Sequence, residues 1–400
     1  MSPIRIGLIG LSASAKTAWA SAAHLPYLLS PRGLERFRIV ALCNSSKESA
    51  EAAIANFKLS PETRAYGSPA ELAADPNVDL VVCSTRVDVH YETIRPALEA
   101  GKMVYCEWPL AQDLQHVRDL VEISRSKQLR TMIGVQGRVA PAVLKVKELI
   151  ESGRIGDVVS VEVRAAGGLN DRQIIPATLE YFTRKEVGGN IITIGLGHLW
   201  DQIQFVHGDA TILHSRFQLQ FPTNKIRDSS GTNTIIKTVT STVPDLAIVT
   251  ASLPASYASS TQKDSATLLV RFNRGQPSFS FAGSEPSLVW SIVGSKGEVR
   301  LTSTAGTGLH ASGYAPGGVS LEVLDFENGE VDRINSEHGE VERIDPDSLW
   351  AKPWQEELPL LSRSVGALYE AFADGKGYPT FEDALKRHEQ IDEMFAAWKV

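Results

Sequence analysis

The sequence predicts an α/β protein in two parts, a doubly wound parallel sheet followed by an α+β domain with a large, mostly antiparallel open sheet. From residue 4 to about residue 137, short apolar runs alternate with amphipathic stretches, as in successive βαβ units. Beyond residue 158 the apolar residues recur with a period of two, which is typical of antiparallel strands. A chain of 400 residues, 43% of them apolar, also exceeds what one core usually organises. We predict domains at residues 1–138 and 139–400.

The first domain is expected to contain five strands, each a short run rich in apolar residues. They are Ile4 to Leu8, Arg38 to Leu42, Leu80 to Cys83, Met103 to Cys106 and Thr131 to Val135. The helices between them are amphipathic, and Asp113 is the expected N-cap of one whose apolar stripe runs through Val117 and Val121. A linking helix follows Pro141 and is expected to stop at Gly153.

The second domain is expected to contain longer strands that alternate or are wholly apolar. They are Val158 to Ala165, Ile212 to Gln218, Leu246 to Ala251, Ala266 to Phe272, Leu288 to Val293 and Glu298 to Thr302. Asn328-Gly329 predicts a hairpin turn. Two helices, from Trp354 to about Asp374 and from Phe381 to Trp398, are expected to close the chain.

Composition and charge exclude several classes of function. A net charge of -7 without basic clusters argues against nucleic acid and anionic membranes as main partners. No apolar run approaches the length of a membrane span, and a strand and a turn fill the first fifteen residues, so we expect a soluble cytoplasmic protein without a signal peptide. Cys43, Cys83 and Cys106 lie in strand-like runs where thiols act as small hydrophobes, and the nine histidines lack metal-ligand spacing. We therefore predict no metal site.

The turn after the first strand is a candidate pyrophosphate site. Backbone N–H groups and a helix dipole hold phosphates at such a strand-to-helix turn. The glycine fingerprint is degraded, because after Gly10 the next two glycine positions hold Ser12 and Ala15. Small residues there still permit a close backbone approach, and Ser12 and Ser14 add hydroxyl groups. The alternative is an ordinary tight turn between a strand and a helix.

The end of the second strand bears on which dinucleotide would bind. A domain that prefers NAD places an acidic residue there to bond the ribose 2′-OH, whereas this chain has Asn44, Ser45, Ser46 and Lys47. Hydroxyl groups and a cation without a carboxylate favour a 2′-phosphate, so NADP(H) is favoured and NAD(H) stays possible. The alternative is that Ser45 and Ser46 only cap the next helix.

The fifth strand ends in a sequence that resembles a known family. The run from Met103 leads into Glu107-Trp108-Pro109 and then Leu110-Ala111. A strand, Glu-Lys-Pro and a helix opening on Leu-Ala are similar to the Gfo/Idh/MocA family of glucose-fructose oxidoreductases and inositol dehydrogenases. The resemblance extends from Ile4 to at least Ala397. It implies an NAD(P)-binding Rossmann domain followed by a substrate and dimerisation domain, and it implies a homodimer.

The resemblance also implies which residues lie near the cofactor. The family lysine reaches the nicotinamide and the substrate hydroxyl, but this chain has Trp108, whose indole cannot move a proton. The other implied cofactor-binding residues share positions at strand ends, and they are Thr85, Arg86, His90, Glu107, Gln136 and Arg138. His90 has the alternative of a helix-start residue without a ligand. Arg138 has the alternatives of a substrate contact and an electrostatic bridge between domains.

A glycine-rich segment carries the candidate proton-transfer residue. Family enzymes have an Asp and a His one turn apart that face the nicotinamide, and here His198 matches the histidine while Ile194 replaces the acid. A histidine suits proton transfer because its pKa lies near neutrality. Tyr181 and Lys185 are candidate replacements for the acid. The alternative is that His198 is a core histidine paired with Asp201.

Three functions follow from the resemblance. Gly10-Leu11, His24-Leu25-Pro26, Glu107-Trp108 and Gly197-His198 are similar to the branch that contains the fungal galactose-pathway repressor. The favoured function is an NADP(H)-dependent oxidoreductase acting on a carbonyl or alcohol of a small, sugar-like molecule or secondary metabolite. The second is a catalytically silent NAD(P)-binding transcriptional regulator with a protein partner. The third is lyase or epimerase chemistry with bound NAD as a transient oxidant.

Overall fold

The computed structural model describes residues 2–12, 18–167, 172–229, 234–254, 265–275, 285–310, 318–326, 341–344 and 352–398. Contacts within the chain group it into two compact units. The first unit consists of Met1–Gln136, Arg184–Gly189 and Lys352–Glu389. The second consists of Gly137–Thr183, Asn190–Ala351 and Gln390–Val400. The division into domains at residues 1–138 and 139–400 stays a prediction.

The first unit contains a parallel sheet of six strands. They are β1 Ile4–Ile9, β2 Phe37–Cys43, β3 Arg64–Tyr66, β4 Leu80–Cys83, β5 Met103–Glu107 and β6 Thr131–Gly134. Their order, β3-β2-β1-β4-β5-β6, is the doubly wound arrangement that the sequence predicts. Because the order reverses between β1 and β4, the crevice for a ligand lies outside the carboxyl ends of these two strands. The short β3 was missed because three residues without a buried run leave no periodic signal.

The second unit is built on a sheet of eight strands and a smaller sheet of three. Its strands are β7 Val158–Gly167, β8 Ile174–Pro176, β9 Thr211–Gln218, β10 Thr223–Arg227, β11 Ile235–Thr240, β12 Leu246–Ser252, β13 Thr267–Arg274, β14 Leu288–Gly294, β15 Gly297–Ser303, β16 Val319–Asp325 and β17 Val341–Ile344. The large sheet has the order β17-β16-β15-β14-β7-β13-β12-β9 and the small one β11-β10-β8. Neighbours in the large sheet are antiparallel except β7 and β13. The predicted mostly antiparallel sheet is confirmed, whereas Asn328-Gly329 lies outside the described residues.

Eleven α-helices are described in these parts of the chain. They are α1 Leu25–Leu28, α2 Pro31–Arg36, α3 Lys47–Asn56, α4 Pro69–Ala74, α5 His90–Glu99, α6 Leu114–Ser126, α7 Pro141–Glu151, α8 Gly197–His207, α9 Pro353–Glu356, α10 Leu360–Asp374 and α11 Phe381–Ala396. Asp113 caps α6 as predicted, since its carboxylate accepts a bond from the His116 N–H. Within the described residues, none of the helices is both long enough and apolar enough to cross a membrane.

One helix prediction is wrong in detail. The expected helix from Trp354 to Asp374 is two helices, α9 and α10, separated by residues 357–359. Proline has no N–H to donate and disfavours the helical conformation of the residue before it. Pro359 therefore stands as the N-cap of α10 and not inside one long helix.

Candidate functional site

Gly10 shapes the turn after β1. Its φ of +98° is left-handed, and a Cβ added there would lie 2.4 Å from the backbone oxygen of Ser84, at the end of β4. The Gly10 N–H donates to the carbonyl of Cys43, at a distance of 3.2 Å. The turn therefore lies close to the end of β4, at the point where the strand order reverses. A turn of small residues at this place leaves space for a pyrophosphate. Ser12 lies half-buried beside it, and the predicted Ser14 and Ala15 lie outside the described residues.

We expect Gly10→Ala to destabilise the first unit and to abolish dinucleotide binding. A left-handed backbone costs a residue with a Cβ about 1–2 kcal/mol, and the overlap with Ser84 adds to that cost. The matched control is Gly101→Ala, since Gly101 has a similar φ of +78° but no atom within 4 Å of an added Cβ. Urea unfolding and the thermal shift with NADPH measure both effects. If both variants lost the same free energy of unfolding and the same thermal shift, the close contact between Gly10 and Ser84 would be contradicted.

Asn44 braces the predicted ribose end of the crevice. Its side-chain Nδ2 donates to the carbonyls of Leu11 (2.8 Å) and Ser49 (3.3 Å), so it ties the turn after β1 to α3. Ser45 is exposed. Lys47, two residues further along the chain, is also exposed, with Nζ 4.0 Å from a carboxylate oxygen of Glu51. The sequence prediction placed these residues at a 2′-phosphate, and the structure brings Ser45 and Lys47 to the surface beside Asn44.

Glu48 is an acidic neighbour that the sequence reasoning did not weigh. It lies exposed in the first turn of α3, directly after the helix cap Ser46. Hydrogen bonds from its own backbone N–H and from Ser46 lower the pKa of this carboxyl. A carboxylate so close to the predicted 2′-phosphate pocket opposes binding of a second anion.

The predicted Thr85 and Arg86 lie in the loop after β4, and the predicted His90 is the first residue of α5. The Arg86 guanidinium makes two bonds of 2.5 Å to the carboxylate of Asp88, which lowers the pKa of that carboxyl. His90 is buried, with Nε2 3.1 Å from the carbonyl oxygen of Thr85 and Nδ1 2.9 Å from that of Pro109. His90 therefore connects the loops that follow β4 and β5.

Glu107 belongs to a buried polar network inside the first unit. One of its carboxylate oxygens lies 3.0 Å from His24 Nε2, and the other accepts a bond of 2.7 Å from Gln136. The second nitrogen of His24 lies 2.9 Å from the hydroxyl of Tyr369, on α10. A Cβ at Gly134 would lie 2.7 Å from the Glu107 carboxylate, so this glycine leaves space for it. Glu107 and Gln136, predicted to bind the cofactor, thus bond each other in the interior.

Trp108, in the position of the family lysine, is 5% exposed and packs against His388 of α11. The two ring centroids are 4.6 Å apart. The N–H of Leu110 donates to Nε2 of His388 over 3.2 Å, so the neutral ring carries its proton on Nδ1. Burial lowers the pKa of His388 to about 3 against a small opposing effect of Asp113. Sequence reasoning missed His388, because nothing local links α11 to the loop after β5.

His198 lies in the second unit, at the second position of α8. A π-helical segment, Ile191–Leu196, leads into this helix and is capped by the side chain of Asn190. Such segments occur frequently at functional sites. The Nδ1 of His198 is enclosed and has no hydrogen-bond partner among the described residues. Burial lowers the pKa of His198 to about 4, so the imidazole is neutral at physiological pH.

His310 is a second imidazole beside His198 that the sequence reasoning missed. The two ring centroids are 4.9 Å apart, and the planes are inclined by 35°. His310 is 8% exposed and follows β15 in a turn. More than one hundred residues separate the two histidines, so no spacing rule connects them.

Arg138 forms an ion pair with Asp201 within the second unit. Its Nε and one terminal nitrogen donate to the two carboxylate oxygens over 2.9 and 2.7 Å. The side chains of Arg138 and Asp201 are 12% and 1% exposed. Both oxygens of Asp201 thus accept bonds from Arg138, whereas Nδ1 of His198 has no hydrogen-bond partner among the described residues.

The other two predicted catalytic residues lie in short 3₁₀ segments. Tyr181 is half-buried in Ala177–Thr183, in the second unit, with its ring 4.9 Å from that of Phe182. Lys185 is exposed in Lys185–Val187, which groups with the first unit. Their catalytic role stays a prediction.

Two family models match most of the chain. Residues 4–135 match the oxidoreductase family with an NAD-binding Rossmann fold, GFO_IDH_MocA, and residues 141–303 match the Gal80p C-terminal domain. The chain belongs to the Gfo/Idh/MocA oxidoreductase family. Within this family it resembles the branch that contains Gal80 regulators as well as fungal dehydrogenases.

Relatives of both kinds are similar to this family member. Dehydrogenase aclE of Aspergillus oryzae is 37% identical over 228 residues, which are 57% of this chain and 61% of that protein, less than two thirds of its length. The D-xylose 1-dehydrogenase (NADP(+)) of Hypocrea jecorina is 40% identical over 124 residues, 31% of this chain and 32% of that protein. The crystal structure of the transcriptional regulator Gal80p from Kluyveromyces lactis has a TM-score of 0.79 and 25% identity, covering 98% of this chain and 89% of that one.

Proposed function

We propose that the protein is an NADP(H)-dependent oxidoreductase that exchanges a hydride with a carbonyl or alcohol carbon of a small, sugar-like molecule or secondary metabolite. The observation that supports this function is a neutral imidazole, His198, in the position of the family's catalytic histidine. Its Nδ1 is enclosed by protein, which leaves Nε2 as the nitrogen that exchanges a proton. The bound nicotinamide would accept or supply the hydride. When an alcohol is oxidised, its hydroxyl proton passes to Nε2 of His198.

We expect His198→Ala to lower kcat by about 10² to 10⁴, the usual contribution of one acid–base group. Cofactor binding, measured by thermal shift, should stay unchanged, because the phosphate turn belongs to the first unit. His214→Ala is the control, since His214 is an exposed histidine on β9 of the second unit. Turnover that survives His198→Ala unchanged would remove this assignment.

The cofactor preference is proposed from the end of β2. Ser45 and Lys47 are exposed beside Asn44, and one relative is the D-xylose 1-dehydrogenase (NADP(+)) of Hypocrea jecorina. Glu48 acts in the opposite direction, since its carboxylate repels a 2′-phosphate. A thermal-shift comparison of NADPH and NADH at equal concentrations tests the proposal, and Glu48→Gln should increase the preference for NADPH. A larger thermal shift with NADH than with NADPH would contradict the proposed preference.

A second candidate function, a silent NAD(P)-binding regulator, is favoured by Trp108. The residue that offers an ammonium group in the family is here a buried indole against His388. A regulator needs no proton shuttle, so it should bind NADP(H) without turnover on any sugar, polyol or ketone and should have a protein partner. Robust reductase activity of the wild-type protein would exclude regulation as the sole function.

We also propose that the protein is a homodimer that pairs through the open face of the eight-stranded sheet. Leu269, on β13, is 36% exposed on that sheet. Its neighbours Thr267 and Arg271 on the same strand are exposed as well, whereas the residues between them are buried. Sedimentation of the wild-type protein and of Leu269→Asp tests this pairing, and two monomeric samples would refute it.

A further inference from the structure

Three metal-ligand side chains meet at the carboxyl ends of β4 and β5. Cys83 and Cys106 are register partners in these neighbouring parallel strands, and His90 is the first residue of α5. Their two sulfur atoms and an imidazole nitrogen lie within 4.8 Å of one another. All three residues are buried, with exposures of 0%, 0% and 1%. No spacing motif in the sequence predicts this cluster, since the three residues are spread over 24 positions.

Both ring nitrogens of His90 face carbonyl oxygens, so each nitrogen needs a proton or a cation. Nε2 faces the carbonyl oxygen of Thr85 at 3.1 Å, and Nδ1 faces that of Pro109 at 2.9 Å. Carbonyl oxygens only accept hydrogen bonds, and a neutral imidazole has a single N–H. If Nε2–H donates to Thr85, the lone pair of Nδ1 points at an oxygen and at Cys106 Sγ, 3.3 Å away. The contact of this lone pair with the Pro109 oxygen is repulsive, and the thiol of Cys106 offers it only a weak S–H donor, whereas a metal cation on that side of the ring binds the nitrogen, the oxygen and the sulfur together.

Either a second proton or a metal ion supplies that cation, and the geometry favours the metal ion. Ligand atoms of a tetrahedral zinc site lie about 3.5 Å apart, close to the 3.3 Å between Cys106 Sγ and His90 Nδ1. A ligating histidine usually donates its other N–H to a carbonyl, as Nε2 can do to Thr85. The hydroxyl of Thr85 lies 3.4 Å from Cys83 Sγ, a distance at which it can donate to a thiolate.

We propose that Cys83, Cys106 and Nδ1 of His90 bind a thiophilic metal ion of the Zn²⁺ class. The carbonyl oxygen of Pro109 is the nearest further donor. Thr85 and Pro109 belong to the loops that follow β4 and β5, so the ion fixes these two loops to each other. The ion has a structural role at the edge of the sheet and takes no part in hydride transfer.

Refolding of the full chain with a metal probe tests the proposal. The protein is unfolded in guanidinium with a chelator and a reductant, and is then refolded with Co²⁺ or Zn²⁺, because a fully buried site exchanges slowly. We expect uptake of one Co²⁺ per chain, with a thiolate-to-cobalt charge-transfer band and the visible bands of tetrahedral cobalt. Refolding with Zn²⁺ should raise the Tm by about 5 °C relative to refolding with the chelator.

Cysteine variants identify the ligands. Cys83→Ser and Cys106→Ser should each weaken the charge-transfer band at least about tenfold, because each removes one thiolate. Cys43→Ser is the matched control, since Cys43 is also buried at a strand end and burial raises the pKa of its thiol to about 11. A wild-type chain that takes up neither Co²⁺ nor Zn²⁺ overturns the proposal, even if the variants fail to fold. A band that survives in both Cys83→Ser and Cys106→Ser also overturns it.

Discussion

The protein is expected to lose stability steeply as the pH falls below about 6.5, because three histidines with lowered pKa values are uncharged in the folded chain. Burial lowers the pKa of His198 to about 4, and burial also lowers those of His207 and His388 to about 3, with a small contribution from Lys147 at His207. In the unfolded chain all three return to the ordinary pKa near 6.5. The unfolded state therefore binds more protons than the folded state throughout this window.

The sign and size of the effect follow from proton linkage. The stabilisation is fully present above pH 6.5 and is lost as the pH falls towards 4, since protonation then favours the unfolded chain. Each histidine contributes a slope of up to about 1.4 kcal/mol per pH unit. His198 and His207 belong to the second unit and His388 to the first. The second unit should therefore lose up to about 3 kcal/mol per pH unit, a large share of the usual 5–15 kcal/mol.

Urea unfolding at pH values of about 8, 6 and 5 measures this loss. The ring centroid of Trp290 lies 5.7 Å from that of His207, and the ring centroid of Trp108 lies 4.6 Å from that of His388. Because the chain has seven tryptophans, variants that retain only Trp290 or only Trp108 are used to follow the two units separately. His207→Leu removes one titrating group and should flatten the slope of the second unit by about 1.4 kcal/mol per pH unit. The exposed His214 serves as the control, since His214→Leu should leave the slope unchanged. Constant stability from pH 8 to pH 5 would contradict the argument.

Carboxylates do not account for the loss of stability in this pH range. Glu370 is buried enough to raise its pKa, but hydrogen bonds from Arg32, Tyr27 and Arg36 overcome burial and lower it. A carboxyl group with a lowered pKa stabilises the fold at pH values above its ordinary pKa near 4.5. This stabilisation is lost as the pH falls below that value. Losses between pH 6.5 and 4.5 therefore report on the histidines, and carboxylates contribute only at lower pH.

The sequence predicted the parallel sheet well because its strands are buried on both faces. The predicted run from Leu80 to Cys83 coincides with β4, whose four residues are all buried. The three residues of β3 are exposed or half-buried, so their apolar content did not separate them from a loop. Gly10 and Asn44 lie at the ends of β1 and β2, as their places in the sequence indicate, and their contact with a cofactor stays a prediction.

Partners that come from distant elements were not predictable from spacing. His388 against Trp108 and Tyr369 against His24 join the C-terminal helices to the parallel sheet, more than two hundred residues apart in sequence. The same limit applies to the cluster of Cys83 with Cys106. Periodicity tells which face of an element is buried, but it does not tell which other element covers that face.

Arg138→Ala should be strongly destabilising, by about 3–5 kcal/mol, because it leaves the carboxylate of Asp201 buried without its cation. Asp201 is 1% exposed, and both of its oxygens accept bonds from Arg138. The loss also includes the contact of the guanidinium with Phe205, whose ring centroid is 5.7 Å away. Urea unfolding of the second unit measures the change. Arg300→Ala is the control, since its pair with Glu298 is half exposed and such pairs contribute about 0–1 kcal/mol.

The double variant Arg138→Met with Asp201→Leu separates stability from cofactor binding. Replacing both buried charges with apolar side chains of similar size should restore most of the stability that Arg138→Ala loses, because no unpaired charge remains. If Arg138 also contacts the dinucleotide, as its position after β6 predicts, the double variant should fold but show a smaller thermal shift with NADPH. An unchanged shift would limit Arg138 to its structural pair with Asp201. A cost of Arg138→Ala no larger than that of Arg300→Ala would show that the buried pair contributes little, against the enclosed geometry of Asp201.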